Sequence, residues 1–372
     1  MTARPESDQG HGGNALALAA KLGIDPDELL DLSNNTNVRA EPLTRELIAP
    51  LSYPYKYYPD PENTKLRLAL AEYENAAPGG LLAGNGSSEL IHLSLAALRP
   101  ASVLILGPIF SEYVLACRGL GLKHRVHSLS PESGFLMTRE DIRAVADSPA
   151  EMIILCNPNN PTGRFDPNLG ELLSRLENRI VMIDLAYREF LYYSENYQAC
   201  SHASLSALLP GSSSLISLGS FTKFFACPGL RLGWRRSDPE AAARLARTRI
   251  PWSVNSLAEE AGVMFLRNIE SYREAIRDLP MTREKFRRML GKSGLFAEAC
   301  ESELNFVLAR PAPPLSSSAL YEKLAAKRII IRNCDNIPGM NPGWVRIQVR
   351  GEEDGAKTLE KALAEIRAGL SG

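Results

Sequence analysis

Lys223 lies in the run Ser220-Phe221-Thr222-Lys223 and is followed by Pro228-Gly229-Leu230-Arg231-Leu232-Gly233. An amine among Phe221, Phe224, Phe225, Ala226 and Cys227 is partly desolvated, which favours the neutral form that adds to a carbonyl. Ser220 and Thr222 supply hydroxyl donors and Arg231 a planar cationic fork, the groups that hold a phosphate. A Schiff-base lysine beside a phosphate anchor is the chemistry of a pyridoxal-phosphate site. On this run alone, a lysine at a surface turn fits equally well.

Further segments supply what such a site needs. Gly84-Asn85-Gly86-Ser87-Ser88-Glu89 opens a helix, where the free N–H groups of Gly86, Ser87 and Ser88 can cradle a phosphate; a plain capped helix start has the same look. Asn157-Pro158-Asn159-Asn160-Pro161-Thr162-Gly163 follows an apolar strand, and its prolines stiffen a loop that directs Asn160 toward a phenolic oxygen. Asp184 ends the strand Ile180-Val181-Met182-Ile183, where an acid is costly unless paired, and a protonated pyridine nitrogen is a fitting partner. Tyr187 can share the phenolic oxygen with Asn160. Phe110 can stack on the ring face, although an aromatic there also suits a core, and without Lys223 and Asn160 the aspartate would read as a turn or cap.

The elements that position these residues follow from periodicity. Short apolar strands at Val103–Leu106, Met152–Cys156, Ile180–Asp184, Leu215–Leu218 and Leu230–Trp234 alternate with helices at Ser88–Leu98, Ser111–Gly119 and Leu169–Leu176. That alternation predicts a mostly parallel sheet covered on both faces, with ligands at the carboxyl ends of the strands. From about residue 254 the chain turns to charged helices, Ser256–Arg267 and Ser271–Leu290, the second split or kinked by Pro280. Strands Asn305–Ala309, Ile329–Arg332 and Trp344–Val349 with helices Ser316–Lys327 and Glu352–Leu370 predict a smaller α+β domain. The expected organisation is an arm and helix over 1–40, a large domain over 41–252 and a small one over 253–372. The 372 residues are 45% hydrophobic and 23% charged with net charge -1, an ordinary soluble balance with no electrostatic case for nucleic acid or an anionic membrane. No signal-like or membrane-spanning run is visible, and the 6 scattered cysteines have no metal-site spacing, so reduced thiols, no bound metal and a cytoplasmic location are expected.

The set Gly86-Ser87-Ser88, Asn160, Asp184, Tyr187, Lys223, Arg231 and Arg346 resembles fold-type I pyridoxal-phosphate enzymes of the class I/II aminotransferase superfamily. The likeness covers nearly the whole chain. It implies an aspartate-aminotransferase-like α/β/α large domain with a small α+β domain. It also implies a homodimer in which Tyr58, in Tyr57-Tyr58-Pro59-Asp60, reaches the neighbouring subunit's cofactor phosphate. Ser220, Thr222 and Arg231 would bind that phosphate in the subunit's own site, and Phe110 would stack on the ring.

Within the superfamily the chain is most similar to threonine-phosphate decarboxylases of cobalamin synthesis and to histidinol-phosphate aminotransferases. His11-Gly12-Gly13-Asn14, Leu29-Leu30-Asp31-Leu32-Ser33 and Asn35 resemble the decarboxylases, as do Arg332 in Ile331-Arg332-Asn333-Cys334 and Arg346 in Val345-Arg346-Ile347. The resemblance implies that His11, Asn35 and Arg332 grip a substrate phosphate and that Arg346 anchors the amino acid, with Asn160 also near the substrate. Two forks suit a doubly anionic substrate. The chain departs from the decarboxylases at Asn37-Val38-Arg39-Ala40, where Asn-Pro-Leu-Gly is usual, at Asn34, where a small residue is usual, and at Leu185, where an acid is usual. Three activities stay open: decarboxylation of threonine phosphate or another phosphorylated amino acid, transamination of histidinol-phosphate type, and non-catalytic binding of the cofactor.

Overall fold

The structure, a computed structural model, describes residues 12–51 and 56–371. The chain divides into two compact units, one of Thr36–Asn160 and Arg164–Arg277, the other of the N-terminal residues to Asn35, Pro161–Gly163 and Asp278–Gly372.

The larger unit is built on a sheet of 7 strands. From one edge to the other they run Leu81–Gly84, Gly233–Ser237, Ser214–Ser220, Ile180–Asp184, Met152–Cys156, Val103–Gly107 and His124–Ser128. Gly233–Ser237 is antiparallel to both of its neighbours, and the other pairings are parallel. The Val103–Gly107 and Met152–Cys156 strands are buried at every residue, as parallel strands covered on both faces must be. Helices Gly86–Leu98 and Glu112–Gly119 contribute Leu90, Ile91, Leu95 and Tyr113 to a core shared with Ile105, Met152, Ile154 and Ile216.

Several elements differ from their expected form. The strand expected at Leu230–Trp234 begins only at Gly233, because Pro228–Leu230 is a 3-10 turn and Arg231 adopts φ +55. The edge strand His124–Ser128 escapes an apolar-run search because Val126 is its sole apolar residue and no residue of it is fully buried. A turn over 275–278 separates helices Ile269–Glu274 and Leu279–Lys292, and Pro280 lies in the first turn of the second, where its missing N–H costs nothing. Helix Ser256–Arg267 packs on Thr64–Tyr73, so this stretch belongs with the larger unit and the chain leaves it near Arg277 rather than near residue 252.

In the smaller unit an antiparallel sheet runs Arg332–Asn333, Val345–Gln348, Phe306–Pro311 and Phe296–Ala299. The single strand expected over Ile329–Arg332 is two: Ile329–Ile330 pairs in parallel with Leu30–Asp31, while Arg332–Asn333 pairs with Val345–Gln348. Leu32, Phe286, Leu290, Val307, Leu320, Ile347 and Leu363 form its core, and Ala19 of helix Ala15–Leu22 packs with Leu29 and Ile330.

Candidate active site

Apart from Tyr58, the expected residues of the larger unit lie at the carboxyl ends of its parallel strands or beside them, where the fold leaves backbone groups open. Strand Ser214–Ser220 runs into the short helix Phe221–Phe224, and Ser220 Oγ accepts the Thr222 N–H at 3.2 Å. Lys223 is half-buried on this turn, and its carbonyl accepts the Asn37 N–H at 2.8 Å. The apolar neighbours hold the turn from beneath: Phe225 stacks on Phe265 at 5.6 Å, and Phe224 meets Phe190 edge-on at 5.6 Å.

An anion cradle lies at the start of helix Gly86–Leu98. Gly86 has φ +78, and a Cβ there would come within 2.7 Å of Arg231 Nη2. A Cβ on Gly233 would lie 2.6 Å from the Ser87 nitrogen. These two glycines therefore admit a guanidinium beside the free N–H groups of the helix start, with Ser87 and Ser88 half-buried next to it. Helix dipole and guanidinium act in the same sense on a phosphate.

Asp184 ends the Ile180–Asp184 strand and is 6% exposed. Its Oδ2 accepts the Tyr113 O–H at 2.5 Å and its Oδ1 the Ala186 N–H at 2.8 Å. Burial pushes its carboxyl above the usual range, and the two hydrogen bonds oppose that shift without neutralising a charge. Such a carboxylate suits a cationic ring nitrogen. Cys156 and Asp184 are register partners, so the loop after Cys156 emerges beside Asp184. That loop is pinned by the Asn159 Nδ2 bond to the Pro108 carbonyl at 3.0 Å and by the Asp166 N–H donated to Asn157 Oδ1 at 2.8 Å. Asn160 and Phe110 are half-buried, and Tyr187 is buried at 4% exposure. Phe110 meets Tyr113 edge-on at 6.4 Å. The donor set, the glycine-lined cradle and the buried carboxylate fit pyridoxal phosphate.

Two features went unread in the sequence. Tyr113 is fully buried and is the side-chain donor to Asp184; its spacing of one helical turn from Phe110 was the available signal. Immediately after Tyr187, Arg188 and Glu189 are buried in an ionic cluster. Glu189 accepts from Tyr73 at 2.5 Å, Tyr197 at 2.7 Å and Arg273 at 3.2 Å, and Arg188 pairs with Glu74 at 3.3 Å. Against burial, which would raise it, Arg188 and Arg273 hold the Glu189 carboxyl below its usual range. The charged pair in an otherwise apolar stretch marked this cluster, which anchors the segment carrying Asp184 and Tyr187. Tyr58 is 80% exposed, its ring 4.8 Å from that of Trp252.

In the smaller unit Arg332 and Arg346 are direct cross-strand partners, both buried. Arg332 donates from Nη1 to the Asn333 carbonyl at 2.5 Å and from Nη2 to Asn336 Oδ1 at 2.6 Å. Burial, reinforced by Arg346, lowers the Arg332 pKa, with Cys334 and Asp335 opposing. Arg346 Nη2 donates to the Ser33 carbonyl at 2.8 Å, and its guanidinium lies 5.2 Å over the Phe306 ring. Asn35 is buried at φ +39, and its carbonyl accepts Asn305 Nδ2 at 3.0 Å. His11 lies outside the described residues.

The family profile "Aminotransferase class I and II" matches residues 29–364. The chain belongs to this family. It is 32% identical over 369 residues to a threonine-phosphate decarboxylase of Salmonella typhimurium, covering 97% of each chain. It is 33% identical over 320 residues to a histidinol-phosphate aminotransferase of Desulfitobacterium hafniense, covering 84% of each. Among solved structures, a histidinol-phosphate aminotransferase of Sinorhizobium meliloti in complex with pyridoxal-5'-phosphate superposes with TM-score 0.76 at 19% identity, covering 100% of both chains. The fold is therefore the aspartate-aminotransferase-like one, and the family's cofactor is pyridoxal phosphate. No helix among the described residues is long and apolar enough to cross a membrane.

Proposed function

We propose that the chain decarboxylates a phosphorylated amino acid, with L-threonine O-3-phosphate the leading substrate and (R)-1-aminopropan-2-yl phosphate the product, as in cobalamin synthesis. The observation that carries this reading is the Arg332–Arg346 pair. Like charges directly opposite on an antiparallel ladder repel, and burial strengthens the repulsion. A carboxylate and a phosphomonoester together carry about three negative charges near pH 7 and relieve it. Arg346 would take the carboxylate, and Arg332 with Asn35 and His11 the phosphate. The relative that covers 97% of the chain is named for this activity, which supports the choice.

Pyridoxal phosphate, when bound, supplies an electron sink for the pair left at Cα. Gly86, Ser87, Ser88, Ser220, Thr222 and Arg231 would hold its phosphate, Asp184 its ring nitrogen, Asn160 and Tyr187 its phenolic oxygen, and Phe110 its ring face. Tyr58 would serve a second subunit's phosphate in a homodimer, and its exposure supports that role. Lys223 would hold the cofactor and then carry protons. By fixing both anionic ends of the substrate, the arginines set which bond at Cα breaks. Loss of the carboxylate leaves Lys223 to deliver a proton to Cα; loss of the hydrogen has Lys223 take that proton, the start of transamination. The 33% identical aminotransferase supports this second course, with histidinol phosphate or another anionic amino acid as donor.

Incubation of the purified protein with L-threonine O-3-phosphate, with and without 2-oxoglutarate, tests the proposal. Carbon dioxide and aminopropanol phosphate should form without the keto acid. Turnover that requires the keto acid would replace decarboxylation by transamination. A bound chromophore with neither reaction, across phosphorylated substrates, would point to non-catalytic binding.

A further inference from the structure

Asp31 and Ser33 precede the buried Asn35 and share a tight local geometry. Asp31 Oδ1 accepts both the Ser33 N–H at 2.8 Å and the Ser33 Oγ–H at 2.7 Å. With its proton committed to Asp31, Ser33 Oγ turns a lone pair to the Gly13 N–H, which it accepts at 3.0 Å. The Ser33 carbonyl meanwhile accepts Arg346 Nη2 at 2.8 Å. One serine thus joins the Gly12–Gly13 segment to the guanidinium of Arg346.

The neighbouring residues make this junction close and firm. A Cβ on Gly12 would collide with the Ser33 carbonyl and stand 3.1 Å from Arg346 Nη2. Gly13 has φ +88, a conformation that costs glycine little and other residues more. The backbone can therefore lie against the guanidinium with no side chain between them. Behind it, the Leu32 carbonyl accepts the Gln348 N–H at 2.8 Å, and the Asp31 carbonyl accepts Arg350 Nη2 at 2.8 Å. The Asp31–Ser33 stretch is fixed along the strand that carries Arg346. Phe306, beneath the guanidinium at 5.2 Å, sets its second constraint.

We propose that Ser33, oriented by Asp31, is a positioning residue for substrate recognition: it latches Gly12–Gly13 onto Arg346 and fixes the plane in which that arginine meets an anionic substrate. This rests on the reading of Arg346 as a substrate anchor. Ser33 touches no reacting atom, so its loss changes how well the anion is held and leaves the cofactor site intact.

The test combines hydrogen exchange at the Gly13 amide with kinetics on L-threonine O-3-phosphate. In Ser33→Ala the Gly13 amide should exchange faster, and KM should rise by about 2–10-fold, the worth of one hydrogen bond, with kcat and cofactor affinity little changed. Ser33→Thr, which keeps the hydroxyl, should restore both readouts, and Asp31→Asn should reproduce the alanine effect more weakly. Unchanged exchange and KM in Ser33→Ala would overturn the latch, and so would a parallel loss of cofactor affinity. If Ser33→Ala does not fold, Asp31→Asn carries the same two readouts. Should the wild-type protein fail to turn over threonine phosphate, the functional reading falls, while exchange at Gly13 by itself still supports or overturns the latch.

Discussion

Asp184 in the larger unit and Arg346 in the smaller one are equally buried, each 6% exposed, yet they are built in opposite ways. The carboxylate ends a strand of apolar residues and is met by a tyrosine hydroxyl and one backbone N–H, donors that leave its charge in place. The guanidinium faces a second arginine across a sheet and rests on a phenylalanine ring. On the proposed function, a cationic cofactor ring would face the carboxylate and an anionic substrate the guanidinium. On that proposal the units divide the work: the larger would decide what the cofactor does, the smaller what it acts on.

The largest effect that bears on this division should come from Lys223→Ala. Loss of the proton carrier should lower turnover by at least about 10³-fold and abolish the long-wavelength absorbance of lysine-bound cofactor. A normal spectrum in that variant would break the assignment of the larger unit. Arg346→Ala and Arg332→Ala should each lower kcat/KM on threonine phosphate by roughly 10²-fold, as for truncating one partner of a buried charge pair. Their cofactor spectra should be unchanged; spectral loss there would mean that the two units do not divide the work as described.

Asp184→Asn should come next, with turnover reduced by about 10-fold or more and a pH signature in the cofactor-free protein. Burial raises the Asp184 carboxyl in the folded state, so its contribution favours folding below the unfolded carboxylate range and is lost as pH rises through the raised value. Asn at this position should flatten that loss, measurable as melting temperature against pH. Tyr113→Phe should have the smallest effect, about 1–3 kcal/mol on the ionised carboxylate. It removes a donor that lowers the Asp184 carboxyl and should move that titration further upward.

How much of this was legible depended on whether the signal was local. Lys223, Asp184 and Asn160 each sit just after an apolar run, and a strand's end can be read from the run itself. The strands Met152–Cys156 and Ile180–Asp184 were expected with the bounds the structure has. Gly233–Ser237 was displaced because its start depends on the positive φ of Arg231, a conformation that composition does not announce in an arginine. The split of Ile329–Ile330 from Arg332–Asn333 depends on which distant strand each half meets. Tyr113 and the Arg188–Glu189 pair left a local trace, but their partners lie far away in sequence: Asp184 for the tyrosine, and Glu74 and Arg273 for the pair. The Arg332–Arg346 opposition likewise exists only once the sheet is formed.

The central claim is that the buried arginine pair selects a doubly anionic substrate for decarboxylation. Its most direct test is the ratio of kcat/KM for L-threonine O-3-phosphate to that for L-threonine, measured as keto-acid-independent carbon dioxide release in the wild type and in Arg332→Ala. A large ratio that collapses in the variant, while L-threonine itself is little affected, is the predicted result. A ratio near one in the wild type, or one that survives loss of Arg332, would contradict the account.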